Sequence, residues 1–136
     1  IGHGHIPLSA IAYASRFRAR VNAVEMDPDT LEWGMQGVKA FRMEKQIKVM
    51  GIESMNDVLA GSDAVVLTHR LTQKSKWLEE IYPHMNPGTR VLCRTAFGLR
   101  ALVHEHVQTK RLKGYTTIGT IQSSKSSMES TVCLLA

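Results

Sequence analysis

Strand-like and helix-like runs alternate from end to end of this 136-residue chain, and that alternation constrains its fold more than any other feature. "RVNAVEMD" (20–27) alternates and then runs apolar, as a buried strand does. "DPDTLEWGMQGVKAFRM" (27–43) opens with Asp-Pro, a helix start, and carries Leu31, Met35 and Val38 at helical spacing. "QIKVMG" (46–51) reads as a short strand, "ESMNDVLAG" (53–61) as a short helix closed by Gly61, and "DAVVLTH" (63–69) as a continuous apolar strand. Trp77, Leu78, Ile81 and Tyr82 make a helix stripe that ends before the "NPG" turn at 86–88. "TRVLCRTA" (89–96) is the next strand. "GYTTIGTI" (114–121) and "STVCLLA" (130–136) flank the polar "QSSKSSM" and read as a closing pair of strands, with an antiparallel strand near the C-terminus. Near the start, Leu8, Ile11, Ala12 and Ser15 share one helix face, and Pro7 suits the first turn.

Repeated strand–helix units of this length predict a parallel sheet with helices on both faces. Residues 64–67, apolar on both faces of their strand, agree with that. The expected fold is a doubly wound, Rossmann-like α/β sheet, with residues 1–136 as one domain. The opening "IGHGHIPLSA" is a glycine-rich turn of the kind that follows a strand, so a strand is expected to end at Ile1. The first strand is then truncated, and the chain reads as the later part of a longer protein.

Hydrophobic residues make up 43% and charged residues 21%, as in an ordinary soluble fold. No apolar run approaches the ~18 residues of a membrane span, and no signal peptide opens the chain. The formal charge of +5 raises nucleic acid as a partner. The basic residues are dispersed, however: Arg16, Arg18 and Arg20, then Lys74 and Lys76, then Lys110, Arg111 and Lys113. Without an aromatic-studded basic stripe, a solvated surface is the reading, and no nucleic acid and no membrane are expected. Cys93 and Cys133 lie in apolar strand-like runs, as reduced, buried thiols of a cytoplasmic protein would.

In sheets of this kind, ligands bind beyond the carboxyl ends of the strands. Gly2 and Gly4 let the backbone turn tightly and approach a ligand with no Cβ between them. The helix that starts near Pro7 points its unpaired N–H groups at the same crevice. Glu25 ends the next strand, where a carboxylate accepts both ribose hydroxyls of a nucleoside. A solvent-exposed acid at a strand end is the alternative. Pro7 stands where a dinucleotide turn wants a third glycine, and it removes an N–H that a diphosphate would use. That favours a cofactor without phosphates, S-adenosylmethionine, over NAD. The expected cofactor-binding set is Gly2, His3, Gly4, Pro7, Glu25, Met26, Gly51, Ile52 and Thr68.

His3 and His5 flank Gly4. A metal site there lacks a third local ligand, so these side chains are expected to face the cofactor or a substrate. His69, at a strand tip, has a pKa suited to a proton acceptor, though a capping or packing histidine leaves the same mark. Arg94 and Thr95, at the next tip, suit a carboxylate held by a charge-assisted bond. His5, His69, Arg94 and Thr95 form the expected substrate-binding set. Met43, Met50 and Met55 read as core filler.

These pieces together resemble the nicotianamine synthases. "GHGHIPLSAIAYA" followed by "VEMDPDTLEWG" is similar to the family's cofactor-binding region. "HMNPGTRVLCRTAFGLRALV" resembles its fifth strand, with Arg94, Ala96, Gly98, Arg100 and Ala101 in register. "GYTTIGTI" and "STVCLLA" are similar to its closing strands. Two departures stand out: "GHGH" differs from the plant members, and Glu25 replaces an Asp. The Met-rich "FRMEKQIKVMG" is closer to bacterial relatives that make opine-type metallophores such as staphylopine and pseudopaline.

The resemblance implies transfer of the 2-aminobutanoyl arm of S-adenosylmethionine to the amine of histidine, with release of methylthioadenosine. It also puts the family's catalytic carboxylate in a helical part upstream of the glycine turn, so no residue here is assigned as catalytic. An ordinary methyltransferase acting on a small molecule is the competing enzyme, and a nucleotide-sensing or NAD-binding module the competing non-enzyme. The partner implied is a small amino acid, histidine or a second cofactor molecule. The sequence leaves the oligomeric state open, and a homodimer is one arrangement it admits.

Overall fold

The computed structural model describes residues 1–69, 71–96, 107–108, 112–122 and 129–136. Gly98, Arg100 and Ala101 of the resemblance lie outside the described residues, as do Lys110, Arg111 and positions 123–128. The chain divides into two compact units, Ile1–Val58 and Leu59–Ala136.

In the first unit, α1 (Leu8–Phe17) leads to β1 (Val21–Glu25), α2 (Pro28–Ala40), β2 (Ile47–Gly51), a 3-10 turn (Ile52–Ser54) and α3 (Met55–Leu59). The unit boundary falls inside α3. Strands β1 and β2 pair in parallel, from Val21 opposite Ile47 to Glu25 opposite Gly51. Asp27 starts α2 as a cap: its carboxylate accepts the Asp29 N–H at 3.1 Å and the Thr30 hydroxyl at 2.9 Å. Pro28 occupies the first helical turn, where no N–H is missed. Arg18 takes the left-handed conformation (φ 53°) and ends α1.

Ala10 and Ala14 of α1 and Val38 of α2 pack with Ala23 of β1 and Ile47 of β2. The buried faces differ from those the apolar spacing predicts. In α1 the buried residues are Ala10 and Ala14, whereas Leu8 is 63% exposed and Ala12 and Ser15 face solvent. In α2 they are Thr30, Gly34 and Val38, and Met35 is 55% exposed. The cause is close packing: small side chains let each helix approach its neighbours, so the larger apolar residues of those helices are left outside. The second helix also stops at Ala40 rather than 43, followed by a turn in which Arg42 has φ 55°.

The second unit carries β3 (Ala64–Leu67), α4 (Lys74–Ile81), a 3-10 turn (Tyr82–His84), β4 (Arg90–Ala96), β5 (Thr116–Gln122) and β6 (Glu129–Leu135). Its sheet order is β3-β4-β6-β5, with β3 and β4 parallel and β6 antiparallel to both β4 and β5. Leu67, Val91, Cys93 and Leu134 of the strands are buried, with Leu78 and Ile81 of α4. Of the expected α4 stripe, Trp77 is half-buried and Tyr82 exposed. Gly88 in the "NPG" turn has φ 90°, which only a glycine adopts cheaply. Neither Cys93, which is buried, nor Cys133, which is half-buried, forms a disulfide among the described residues. No helix among the described residues is long and apolar enough to cross a membrane.

Among the described residues, one basic side chain is buried. Lys74 is buried, and its Nζ donates to the carbonyls of His69, at 3.0 Å, and Leu71. The solvated-surface reading fails at this position because the loop before α4 turns its carbonyls inward, and an ammonium satisfies them.

Candidate functional site

A strand alternates its side chains between faces, so Val21, Ala23 and Glu25 form one row. The first two of these pack with the helices. Glu25 continues that row to the carboxyl end of β1, and it is only 7% exposed. A buried carboxylate needs donors. Oε2 accepts the Gly4 N–H at 3.0 Å, and Oε1 accepts the Met26 N–H at 2.9 Å. The side chain therefore turns onto the glycine turn.

The turn has the conformation its glycines allow. Gly2 has φ 73° and Gly4 φ 69°, values that cost a side-chain-bearing residue energy. The Gly2 N–H donates to the Val24 carbonyl at 2.9 Å, which docks the segment beside β1. Residues 1–5 lie outside any strand, so the strand expected to end at Ile1 is not among the described elements. Pro7 is buried and stands at the cap of α1 rather than inside its first turn. Its Cδ packs 3.4 Å from where a side chain on Gly37 would begin.

His3 lies within this framework. Its side chain is 5% exposed, and Nδ1 lies 2.5 Å from the Gly4 carbonyl and 4.0 Å from Glu25 Oε2. A carbonyl only accepts, so Nδ1 carries the proton in that bond. Burial pushes the imidazole pKa down from its ordinary 6.5, while the Gly4 bond and the Glu25 charge oppose the shift. His5 is exposed. The Asp27 carboxyl is held below its ordinary value, first by the Thr30 hydroxyl and then by the Asp29 amide.

Gly51 lies opposite Glu25 in the register, Ile52 follows half-buried, and Met26 is exposed. Bonds and register thus bring together Gly2, His3, Gly4, Glu25, Met26 and Gly51. Two neighbours went unread in the sequence. The Glu53 carboxylate folds back against Gly51, and the His3 ring sits where a Gly34 side chain would stand. A glycine inside a helical pattern, as in "EWGMQG", was the available signal for the second.

The remaining expected residues belong to the second unit. Leu67 pairs with Cys93 in parallel, so Thr68–His69 and Arg94–Thr95 emerge at the same end of two adjacent strands. Thr68, His69 and Arg94 are half-buried. Thr95 is fully buried, and its hydroxyl accepts the Val107 N–H at 3.0 Å. Among the described residues, no group of three or more His, Cys, Asp or Glu is placed to hold a metal ion.

No protein-family model matches the sequence, and no curated protein does. Solved structures do match. A mutant of the nicotianamine synthase MtNAS in complex with S-adenosylmethionine aligns with a TM-score of 0.87 at 24% identity, covering 98% of this chain and 52% of that one. MtNAS in complex with MTA and tNA aligns with a TM-score of 0.85 at 23% identity, covering 98% and 50%. A methyltransferase from Pyrococcus furiosus aligns with a TM-score of 0.75 at 18% identity, covering 99% and 72%. The fold is that of the S-adenosylmethionine-dependent methyltransferases. The chain spans about half the length of the MtNAS structures it matches. The fold is methyltransferase-like with a mixed sheet in the second unit, in which β6, the antiparallel strand expected near the C-terminus, lies between β4 and β5.

Proposed function

We propose that residues 1–136 are the S-adenosylmethionine-binding part of a nicotianamine synthase-like transferase. In this reading the enzyme moves the 2-aminobutanoyl group of S-adenosylmethionine to the amine of histidine and releases methylthioadenosine, in the making of opine-type metallophores. The observation that carries the reading is the Glu25 carboxylate turned onto the Gly2–Gly4 turn. Each of its oxygens accepts one backbone N–H and keeps a lone pair for one more donor. Two vicinal ribose hydroxyls are donors of that number. Gly2 and Gly4 keep Cβ atoms out of the way, and Pro7 offers no N–H to a diphosphate. The residues present therefore fit an adenosyl group. The likeness to MtNAS in complexes with S-adenosylmethionine and with MTA and tNA supports the choice of that cofactor.

When bound, S-adenosylmethionine supplies a sulfonium whose attached carbons are electrophilic. Position decides which carbon meets the acceptor amine, so the chain's contribution is to hold and orient. Gly2, His3, Gly4, Pro7, Glu25, Met26, Gly51, Ile52 and Thr68 are assigned to the cofactor. His5, His69 and Arg94 are assigned to the amino-acid substrate, with the Arg94 guanidinium on a carboxylate, whereas the expected Thr95 is fully buried and its hydroxyl holds the Val107 N–H. Cys93 and Cys133, without a disulfide among the described residues, suit a reducing cytoplasm.

A methyltransferase acting on a small molecule is the second reading, favoured by the likeness to the Pyrococcus furiosus enzyme, which this chain covers to 72% of its length. Incubating the full-length protein with S-adenosylmethionine and histidine, followed by mass spectrometry, separates the two. Methylthioadenosine and an aminobutanoyl-histidine are expected. S-adenosylhomocysteine as the product would replace the first reading by the second.

A further inference from the structure

We propose that His3 is a positioning residue for the Glu25 carboxylate, and that Gly34 of α2 is the socket its ring requires. The proposal rests on the reading of Glu25 as the ribose-binding group.

Gly4 is held at both ends. Its N–H donates to Glu25 Oε2 at 3.0 Å, and its carbonyl accepts from His3 Nδ1 at 2.5 Å. The imidazole therefore fixes a left-handed glycine, φ 69°, whose amide aims the carboxylate. The ring is fixed in turn by α2. A Cβ on Gly34 would stand 2.5 Å from His3 Cε1, 3.2 Å from Nε2 and 3.3 Å from Nδ1. No side chain at position 34 is compatible with the ring where it lies.

Two local rules are broken at this one contact. A glycine inside a helix weakens it, and Gly34 lies within α2. A buried ring nitrogen ordinarily finds a partner, yet His3 Nε2 is buried with none. Sequences that break such rules together do so where a site needs the arrangement. Packing alone would be served better by alanine at 34 and an apolar residue at 3. The retained feature is the Nδ1–H aimed at Gly4, with Glu25 Oε2 4.0 Å beyond.

Calorimetric titration of the full chain with S-adenosylmethionine tests this. Gly34→Ala is expected to weaken binding about tenfold, although alanine favours the helix. His3→Ala is expected to weaken it similarly, and the double substitution no further, because both act through one contact. His3→Asn keeps an N–H near the Nδ1 position and removes Cε1 and Nε2, the two atoms nearest a Cβ at residue 34. In the Gly34→Ala background it should restore affinity to within about twofold, a rescue that general loss of structure would not give. A second readout needs no ligand: amide hydrogen exchange at Gly4 should quicken in Gly34→Ala and slow again with His3→Asn. Wild-type affinity together with unchanged Gly4 exchange in Gly34→Ala would overturn the positioning role. Absence of S-adenosylmethionine binding in the unsubstituted protein would instead remove the cofactor reading, and the exchange measurement would still decide the role of His3.

Discussion

Glu25 and Gly4 are 21 residues apart in sequence, and the carboxylate of the first accepts the amide of the second at 3.0 Å. That bond joins the carboxyl end of β1 to the glycine turn and leaves lone pairs for further donors. Neutralising the carboxylate should weaken it more than shortening it. Glu25→Gln is expected to raise the KM for S-adenosylmethionine about ten- to hundredfold, the scale of losing hydrogen bonds to a charged group. Glu25→Asp should raise it less. Steady-state kinetics on the full-length protein measure both.

The pH dependence follows from His3. Its folded-state pKa lies below the ordinary 6.5, mainly through burial. The unfolded chain thus binds this proton more readily than the folded one. The contribution is intact above pH 6.5 and is lost as pH falls through the depressed folded value. Melting temperatures should therefore decline from pH 7.5 to pH 5. A His3→Asn variant, which cannot titrate there, should decline less.

Three glycines separate space from conformation. Gly51→Ala would meet only the far end of the exposed Glu53 side chain, which can swing away, so its stability should change by less than about 1 kcal/mol. Gly114→Ala would place a Cβ against the Tyr82 ring at φ 87°, and should cost about 1–3 kcal/mol. Gly34→Ala should fall between them, since the helix gain offsets only part of what the displaced His3 ring loses. Urea denaturation of the three variants ranks them.

The hydroxyl of Thr95 has a clear internal partner. Thr95→Val keeps its shape but leaves the buried Val107 N–H without an acceptor, which should cost about 1–3 kcal/mol. Thr95→Ser retains the acceptor and should cost less. Equal losses in denaturant melts would show that the methyl, not the hydroxyl, carries the stability.

The order of strands and helices was legible because apolar runs and turn residues mark it directly. That Glu25 ends a strand beside the glycine turn was legible because the alternating apolar run marks the strand and Gly2 and Gly4 mark the turn. The inner faces of α1 and α2 were not. Ala10, Ala14 and Gly34 lie against their neighbours because they are small, and smallness leaves no trace in an apolar pattern. Lys74 was misread because lysine is ordinarily solvated, whereas here a loop offers it carbonyls from His69 and Leu71. The contacts of His3 with Gly34 and of Glu53 with Gly51 arise from folding and have no one-dimensional period.

A crystal structure of the full-length protein with S-adenosylmethionine tests the central claim most directly. The account predicts both ribose hydroxyl oxygens within about 3 Å of the Glu25 carboxylate oxygens, with the adenosyl group over Gly2 and Gly4. An adenosyl group seated elsewhere, or a ribose that leaves Glu25 uncontacted, would contradict it.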